Sequence, residues 1–220
     1  MLKSVCSARA GFTQADIRFI ESLHDPDSGG AIRSLAADPE ALQAMLDLVE
    51  VRRALLESPV ALPVSPSLYF FVLVRHALLE GGVDHLRLTD HIAGVLVDKL
   101  AWASRGSGGL PTWTTHAVDF IALIREASGL LKVHLEVAAG DQFLVLTGLF
   151  PSFIDQRRER CGAPGIDFYE SFGRRSYQMA SSHQALGPES RELFGLLAEV
   201  FPIARRSLNK MRESCLFLGD

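Results

Sequence analysis

Residues 65–82 read Ser-Pro-Ser-Leu-Tyr-Phe-Phe-Val-Leu-Val-Arg-His-Ala-Leu-Leu-Glu-Gly-Gly, and this stretch decides the fold class. Ser65 is a typical N-cap, Pro66 suits the first helical position, and Gly81 ends the segment. Almost every side of the helix between them is apolar, which is typical of a helix buried at the centre of a protein. Because periodicity alone does not separate a short apolar helix from a strand, the Ser-Pro cap decides in favour of a helix over 66–80.

Similar helix-start and helix-stop signals recur along the chain. A second short apolar segment, 143–147, is assigned to a helix because Gly140-Asp141 matches a helix end followed by an N-cap. The predicted helices cover 13–23, 29–36, 39–57, 66–80, 88–104, 113–138, 141–150, 152–161, 168–182 and 188–214. The sequence therefore predicts an all-α fold, a single domain over residues 1–220 with nine or ten helices packed around central apolar helices.

The composition is that of a folded chain. Hydrophobic residues make up 48% of the 220 residues and charged residues 22%, which allows a sizeable core and is too apolar for disorder. Twenty-two basic and 26 acidic side chains leave a formal charge of -4, which excludes a generally basic nucleic-acid-binding chain. Three widely separated cysteines exclude a disulfide framework and a paired-cysteine zinc site: Cys6, Cys161 and Cys215.

The sequence indicates a cytoplasmic protein with reduced thiols. Its first residues, Met1–Cys6, include one lysine and no apolar run of signal-peptide length. No segment reaches the roughly 18 uninterrupted apolar residues that a membrane-spanning helix needs. We therefore expect no membrane association.

Polar side chains interrupt the apolar helix 66–80. Tyr69 and His76 lie on one side of it, and Arg75 points about a quarter-turn away from His76. A buried arginine needs a carboxylate, because an unpaired charge in the interior costs several kcal/mol. The candidate partners are Asp90, Asp119 and Asp141. We interpret Arg75 and His76 either as the lining of a polar pocket for an anionic ligand or a reaction, or as a structural ion pair beside a histidine at a helix end.

The predicted helix 113–138 has a polar stripe and, on the opposite core side, the histidines His116 and His134. The stripe consists of Arg125, Ser128, Lys132 and Glu136. The two histidines lie about 27 Å apart along the helix axis and cannot bind one metal together. Each is either a hydrogen-bonded core histidine or a site residue, and His134 is the better site candidate because a helix is predicted to begin nearby at Asp141. The Asp141 carboxylate either caps that helix or faces Arg75 or a ligand.

Residues 150–177 place arginines beside aromatic side chains, a composition typical of nucleic-acid-binding segments. Over 155–175, however, five arginines and four acidic residues leave a net charge of only +1, and the aromatics keep the spacing of a helix face that packs in a core. We therefore favour a pocket in which Arg157 or Arg174 holds a carboxylate or a phosphate, with Tyr177 as a further candidate, over nucleic-acid binding.

No phosphate-binding loop, nucleophile elbow, metalloprotease or EF-hand motif occurs in the sequence. A di-iron helical site needs a Glu-x-x-His motif on each of two helices, and the chain has one, Glu21-Ser-Leu-His24. Two adjacent pairs could bind a metal or cap a helix at the surface: Asp84-His85 and Asp90-His91. The sequence therefore predicts no metal site and names no cofactor.

Three segments resemble a group of bacterial helical proteins of unknown function. The segments are Ser67-Leu-Tyr-Phe with Val74-Arg75-His76, Gly140-Asp141 with Gly148-Leu-Phe-Pro151, and Gly165-Ile-Asp-Phe-Tyr169 with Gly173-x-x-Ser-Tyr177. The resemblance covers about residues 60–182. It implies an all-α fold and a bacterial source, and it implies no activity.

We predict a binding or interaction protein that forms a homodimer through an apolar helical face and takes a small anionic ligand or a protein partner. The predicted pocket is lined by Tyr69, Arg75, His76 and Asp141. The alternative hypothesis is a metal- or cofactor-dependent helical-bundle enzyme that uses His76 or His134 as acid, base or ligand and Asp141 as the carboxylate. A third, less favoured hypothesis is nucleic-acid binding through 150–177.

Overall fold

The computed structural model describes residues 5–23, 38–57, 64–103 and 117–215. These ranges contain ten α-helices and no β-strand, so the predicted all-α fold is confirmed. In chain order the helices are α1 (Gln14–Ser22), α2 (Pro39–Leu46), α3 (Val49–Glu57), α4 (Pro66–Glu80), α5 (Leu86–Ala103), α6 (Ala117–Glu126), α7 (Gly129–Leu149), α8 (Pro151–Cys161), α9 (Ile166–Ser181) and α10 (Pro188–Cys215).

Local capping explains where several helices begin. The Thr13 hydroxyl accepts a hydrogen bond from the Asp16 backbone N–H, and the Asp16 carboxylate accepts one from the Thr13 backbone N–H, which completes a capping box for α1. An Asp38 side-chain oxygen accepts a hydrogen bond from the Glu40 backbone N–H at 2.9 Å, and the Ser65 hydroxyl accepts one from the Leu68 backbone N–H at 3.1 Å. The starts of α1, α2 and α4 are therefore fixed by residues close to them in the chain.

The predicted helix 39–57 is two helices, α2 and α3, with a bend at Asp47 and Leu48. The guanidinium of Arg75 in α4 donates to both oxygens of Asp47, at 2.9 and 2.8 Å, and ties this bend to the central helix. The predicted helix 29–36 lies outside the described residues.

Helix α7 differs most from the prediction. The sequence predicts helices over 113–138 and 141–150, whereas the chain breaks at 127–128 and then continues as the single helix α7. Gly129, the first residue after the break, has a φ of 58°, in the left-handed region that favours glycine. Asp141 therefore lies in the middle of a helix, and its predicted role as an N-cap is wrong.

Two helices form the centre of the molecule, and one of them, α4, is the helix whose apolar sequence predicts that place. Residues 71–78 of α4 and 139–149 of α7 are all buried. Helix α7 packs against α9 and α10, whereas α4 packs against α5 and α10. The long helix α10 therefore contacts both central helices.

Two glycines let α7, α9 and α10 approach closely. A Cβ atom at Gly140 would lie 2.6 Å from the Tyr177 ring, and one at Gly173 would lie 2.7 Å from the Phe201 ring. Both distances are well below van der Waals contact, so a larger residue at either position requires the helices to move. Aromatic rings thus fill the space over bare helix backbone.

An aromatic cluster extends the core towards α6 and α8. Phe143 stacks on Tyr169 with 5.4 Å between ring centroids and meets Phe172 edge-on at 5.1 Å. The helical spacing of aromatic residues in α9 therefore serves the core at these positions. Phe168 differs, because 42% of its surface is exposed.

Within the described part of the chain, no single helix is long and apolar enough to cross a membrane. Helices α7 and α8 reach the required length and composition only when taken together, and they are bent by 91° where they join.

Candidate functional site

A network of three polar side chains lies inside the molecule where α5, α7 and α9 meet. Asp141 Oδ1 of α7 lies 3.0 Å from His91 Nε2 of α5 and accepts a hydrogen bond from the Tyr177 hydroxyl of α9 at 2.6 Å. His91 and Tyr177 are completely buried, and Asp141 is 8% exposed. We call these three residues the buried polar network.

Both ring nitrogens of His91 are occupied. The Cys6 backbone N–H donates to Nδ1 at 3.1 Å, so the neutral ring has its proton on Nε2 and donates it to Asp141. Burial, and then the charge of Asp141, raises the pKa of Tyr177 well above its usual range, so Tyr177 remains a phenol that donates. The network holds three helices together and leaves no nitrogen of His91 for acid–base chemistry.

At its edge the buried polar network meets a lysine and a cysteine. The Lys99 ammonium donates to the Gln142 side-chain oxygen at 3.1 Å. Burial lowers the Lys99 pKa, although the negative charge of Asp141 acts to raise it. Burial, followed by the charges of Asp141 and Asp98, raises the pKa of Cys6, whose thiol lies 3.6 Å from an Asp98 oxygen. Cys6 therefore remains a thiol, which is the unreactive form of a cysteine.

Arg75 has carboxylate partners, but they are not the predicted ones. It donates to Asp47 with two hydrogen bonds, and its Nη1 lies 2.8 Å from an oxygen of Asp84. Asp141 serves the buried polar network instead, and Asp90 accepts from the N-terminal segment, including the Arg9 backbone N–H at 2.8 Å. The expectation that a buried arginine requires a carboxylate is confirmed, because Arg75 pairs with two of them: Asp47 lies in the bend between α2 and α3, and Asp84 follows α4.

Asp119, the third predicted partner of Arg75, is exposed on α6 and is not among the carboxylates that pair with Arg75. The predicted pocket of Tyr69, Arg75, His76 and Asp141 therefore separates into two places: three of its members lie on α4, and the fourth lies in the network on α7.

The two other predicted site residues on α4 are His76 and Tyr69. Burial and the nearby Arg52 charge lower the pKa of His76, and its Nε2 atom is buried with no hydrogen-bond partner among the described residues. Tyr69 is half-buried and meets the Phe70 ring edge-on at 5.4 Å. These contacts are those of a helix packed in a core.

Helix α7 also places two titratable groups in the interior. His134 has both ring nitrogens buried without a hydrogen-bond partner among the described residues, and His116 lies outside them. Glu136 is 2% exposed, so its predicted place in a solvent-facing polar stripe is wrong. Burial raises the Glu136 pKa, and the charges of His183 and Lys132 act in the opposite direction.

A groove lies along the outer face of α9, and we call it the α9 groove. Its volume is about 580 Å³. The described residues that line it are Ser171, Arg174, Arg175, Gln178, Met179 and Ser182. Their spacing of three or four residues is that of one helix face.

Several arginines in the described part of the chain have carboxylate partners, whereas the two arginines of the α9 groove have none there. Arg52 and Arg205, for example, each pair with a glutamate, as Arg75 does with aspartates. Among the described residues, no carboxylate lies within ion-pair distance of Arg174 or Arg175. Of the arginines predicted to hold an anion, Arg157 lies over the Phe153 ring at 5.7 Å, whereas Arg174 faces the groove.

Two features of the structure could not be predicted from the sequence: the buried polar network around His91 and the place of Arg175 in the α9 groove. His91 was a candidate only as a metal ligand or a surface cap, although the apolar residues around it, Leu88 and Ile92, indicate the buried face of a helix. Arg175 is not among the arginines predicted to hold an anion, although its spacing from Ser171 and Gln178 places all three on one helix face.

In the described ranges no three His, Cys, Asp or Glu side chains come together as a metal site.

Comparison with known proteins does not assign the chain to a family: no family model, curated protein or solved structure matches it significantly.

Proposed function

We propose that this protein binds a small molecule with an anionic group, such as a carboxylate or a phosphate, in the α9 groove. One observation carries the proposal: Arg174 and Arg175 are adjacent, exposed and line the same groove, and no carboxylate of the described residues pairs with either. Both guanidinium groups carry a positive charge, so both attract an anion bound in the groove.

The remaining lining of the α9 groove fits the same type of ligand. Ser171 and Gln178 supply neutral hydrogen-bonding groups on either side of the arginines, and Met179, 41% exposed, supplies an apolar contact. The Ser182 hydroxyl donates to the Met179 carbonyl. Arginine binds carboxylate and phosphate groups with paired hydrogen bonds, which are among the strongest in proteins. All six described lining residues are exposed, so the groove is open to solvent and accessible to a small anion.

Titration of the isotope-labelled protein with sodium sulfate tests the proposal. Ionic strength is held constant with sodium chloride, so that non-specific screening does not change. We expect the side-chain N–H signals of Arg174 and Arg175 and the backbone signals of α9 to shift with one saturable affinity. Shifts spread over all exposed arginines, or no saturation, would contradict a site in this groove. Saturable shifts with an RNA oligomer but not with sulfate would favour the nucleic-acid hypothesis instead.

The buried polar network supports the enzyme hypothesis less well than the α9 groove supports binding. A general base must reach the proton that it abstracts. His91 is fully buried and both of its ring nitrogens are hydrogen-bonded, and Tyr177 is fully buried as well. We therefore assign the network to the stability of the fold.

A second candidate function, association of two copies, rests on a separate observation. Five large apolar side chains are exposed within one stretch of α6 and the start of α7, and we call them the α6 face. They are Val118 (71% exposed), Ile121 (38%), Leu123 (50%), Leu130 (57%) and Leu131 (57%). Large apolar side chains that are exposed close together along the chain are a feature of protein interfaces. We propose that a second copy of the chain covers it.

The location and source of the protein remain proposals of the same kind. A reducing, cytoplasmic location agrees with the three cysteines, which are all free thiols. A bacterial source follows only from the resemblance of the three sequence segments.

A further inference from the structure

Glu136 is a buried carboxylate with very few partners. Only 2% of its surface is exposed, and neither of its oxygens has a hydrogen bond of good geometry among the described residues. The imidazole of His183 is next to it, with Nε2 3.0 Å from a Glu136 oxygen. An ionised carboxylate in such a place is costly unless a positive charge balances it.

His183 belongs to the connection between α9 and α10, residues 182–187. Its side chain is 27% exposed, so it reaches water while it touches the buried Glu136. The connection itself is made of short turns: the His183 backbone N–H donates to Ala180, and the His183 carbonyl accepts from Leu186. The Glu136 contact therefore joins a surface turn to the centre of α7.

The pair has no net charge when it holds one proton, either as a carboxylate with an imidazolium or as a carboxylic acid with an imidazole. The other charged group that acts on Glu136 is Lys132, one turn earlier on α7, and it favours the ionised carboxylate. Loss of the shared proton leaves a carboxylate in the interior with Lys132 as its only remaining cationic neighbour in the described part of the chain. Water can reach Glu136 if the His183 turn moves away.

We propose that Glu136 and His183 form a proton-dependent latch that closes the α9–α10 connection onto α7 and opens it when the pair loses its shared proton. The latch ends beside Ser182, a lining residue of the α9 groove, but it stands on its own contacts and does not depend on ligand binding. The opening equilibrium rises by up to about tenfold per pH unit over the range in which the closed form holds the proton and the open form has released it, and it is constant above that range.

Hydrogen–deuterium exchange of the full-length protein from about pH 6 to about pH 9, the range in which histidines change charge, tests the latch. Rates are corrected for the intrinsic pH dependence of exchange. We expect protection of residues 182–187 to fall with rising pH while that of 139–149 stays constant. Glu136→Gln, which has the same shape and no charge, is expected to keep its protection at every pH. His183→Gln is expected to lose protection at a lower pH than the natural chain.

Glu80→Gln is the matched control, because Glu80 is an exposed partner of Arg52 on another helix. It is expected to behave as the natural chain does. Protection of 182–187 that is constant with pH in the natural chain would overturn the proposal. An equal fall of this protection in Glu136→Gln would also overturn it. So would a His183→Gln variant that loses protection at the same pH as the natural chain.

Discussion

Charged side chains in the interior are stable only where opposite charges or hydrogen-bond donors surround them, and this protein contains well-matched and poorly matched examples. Arg75, with 6% of its side chain exposed, has two aspartates, and both oxygens of Asp47 receive its hydrogen bonds. Asp141 is held by His91 and Tyr177. Glu136 has a single half-exposed histidine beside it. At the scale of the residue, then, Arg75 and Asp141 stabilise the fold, whereas Glu136 makes part of it sensitive to pH.

The Arg75–Asp47 pair predicts an acid-dependent loss of stability. Burial alone would raise the Asp47 pKa, but the hydrogen bonds and charge of Arg75 outweigh burial and lower it. A lowered pKa stabilises the folded state above the ordinary aspartate value, and that stabilisation disappears as the pH falls through the lowered value. We expect Asp47→Asn to lose about 1–3 kcal/mol of unfolding free energy at neutral pH and almost none in strong acid.

Urea denaturation of the natural chain and of Asp47→Asn at several pH values measures this difference. The control is Asp155→Asn, which makes the same change of charge at an exposed residue of α8. If Asp47→Asn lowers the unfolding free energy by the same amount at neutral and at very low pH, then shape, not charge, holds the bend between α2 and α3.

At the scale of the helix, the sequence predicts a helix end correctly where the capping residues are neighbours in the chain. It predicts the end wrongly where contacts with another helix decide. The start of α4 could be predicted because Ser65 and Pro66 act on the next few residues. The continuity of α7 could not, because Gly140 and Asp141 have the local signature of a helix break. In the fold, Gly140 receives the Tyr177 ring and Asp141 receives two side-chain donors from other helices. Neither contact is visible in a single sequence.

The close packing of α9 against α10 predicts an unusual response to alanine. Alanine favours a helix over glycine by about 1 kcal/mol. At Gly173, however, the new Cβ atom would lie 2.7 Å from the Phe201 ring, and overpacking costs about 1–3 kcal/mol. We expect Gly173→Ala to lower the unfolding free energy. Gly195→Ala, in α10, should raise it, because the nearest atom is 3.9 Å away.

Thermal or chemical denaturation of these two alanine variants settles the comparison. A stabilising effect at both positions would mean that helix propensity dominates and that α9 and α10 are packed less tightly than described. A loss at both would mean that Gly195 also has a packing role.

At the scale of the whole molecule, the fold class follows from composition and helix signals, but the position of the candidate site does not. Arg174 could be chosen from the sequence as an anion-binding candidate. That it shares a groove with Arg175 depends on which face of α9 turns away from α7 and α10. The same limit applies to Arg75, whose need for a carboxylate could be predicted, whereas Asp47 and Asp84 come close to it only after the chain has folded.

The α6 face predicts a dimer. Light scattering of the purified protein should give a mass of about twice the 24.1 kDa of one chain. Val118→Lys places a charge in the α6 face and should shift the mass to the monomer. The matched control is Val49→Lys, since Val49 is 56% exposed on α3 and lies outside that face. A monomer at all concentrations, or a dimer that both variants retain, would remove the α6 face as the contact.

The central claim is that Arg174 and Arg175 form an anion site, and calorimetric titration with sulfate at constant ionic strength tests it most directly. The double variant Arg174→Gln/Arg175→Gln is compared with Arg158→Gln/Arg206→Gln, which removes two exposed arginines elsewhere and changes the net charge equally. Since a charge-assisted hydrogen bond contributes about 1.5–3 kcal/mol, the groove variant should bind at least about tenfold more weakly. The control variant should bind as the natural chain does. Equal affinity in the two double variants would contradict the account.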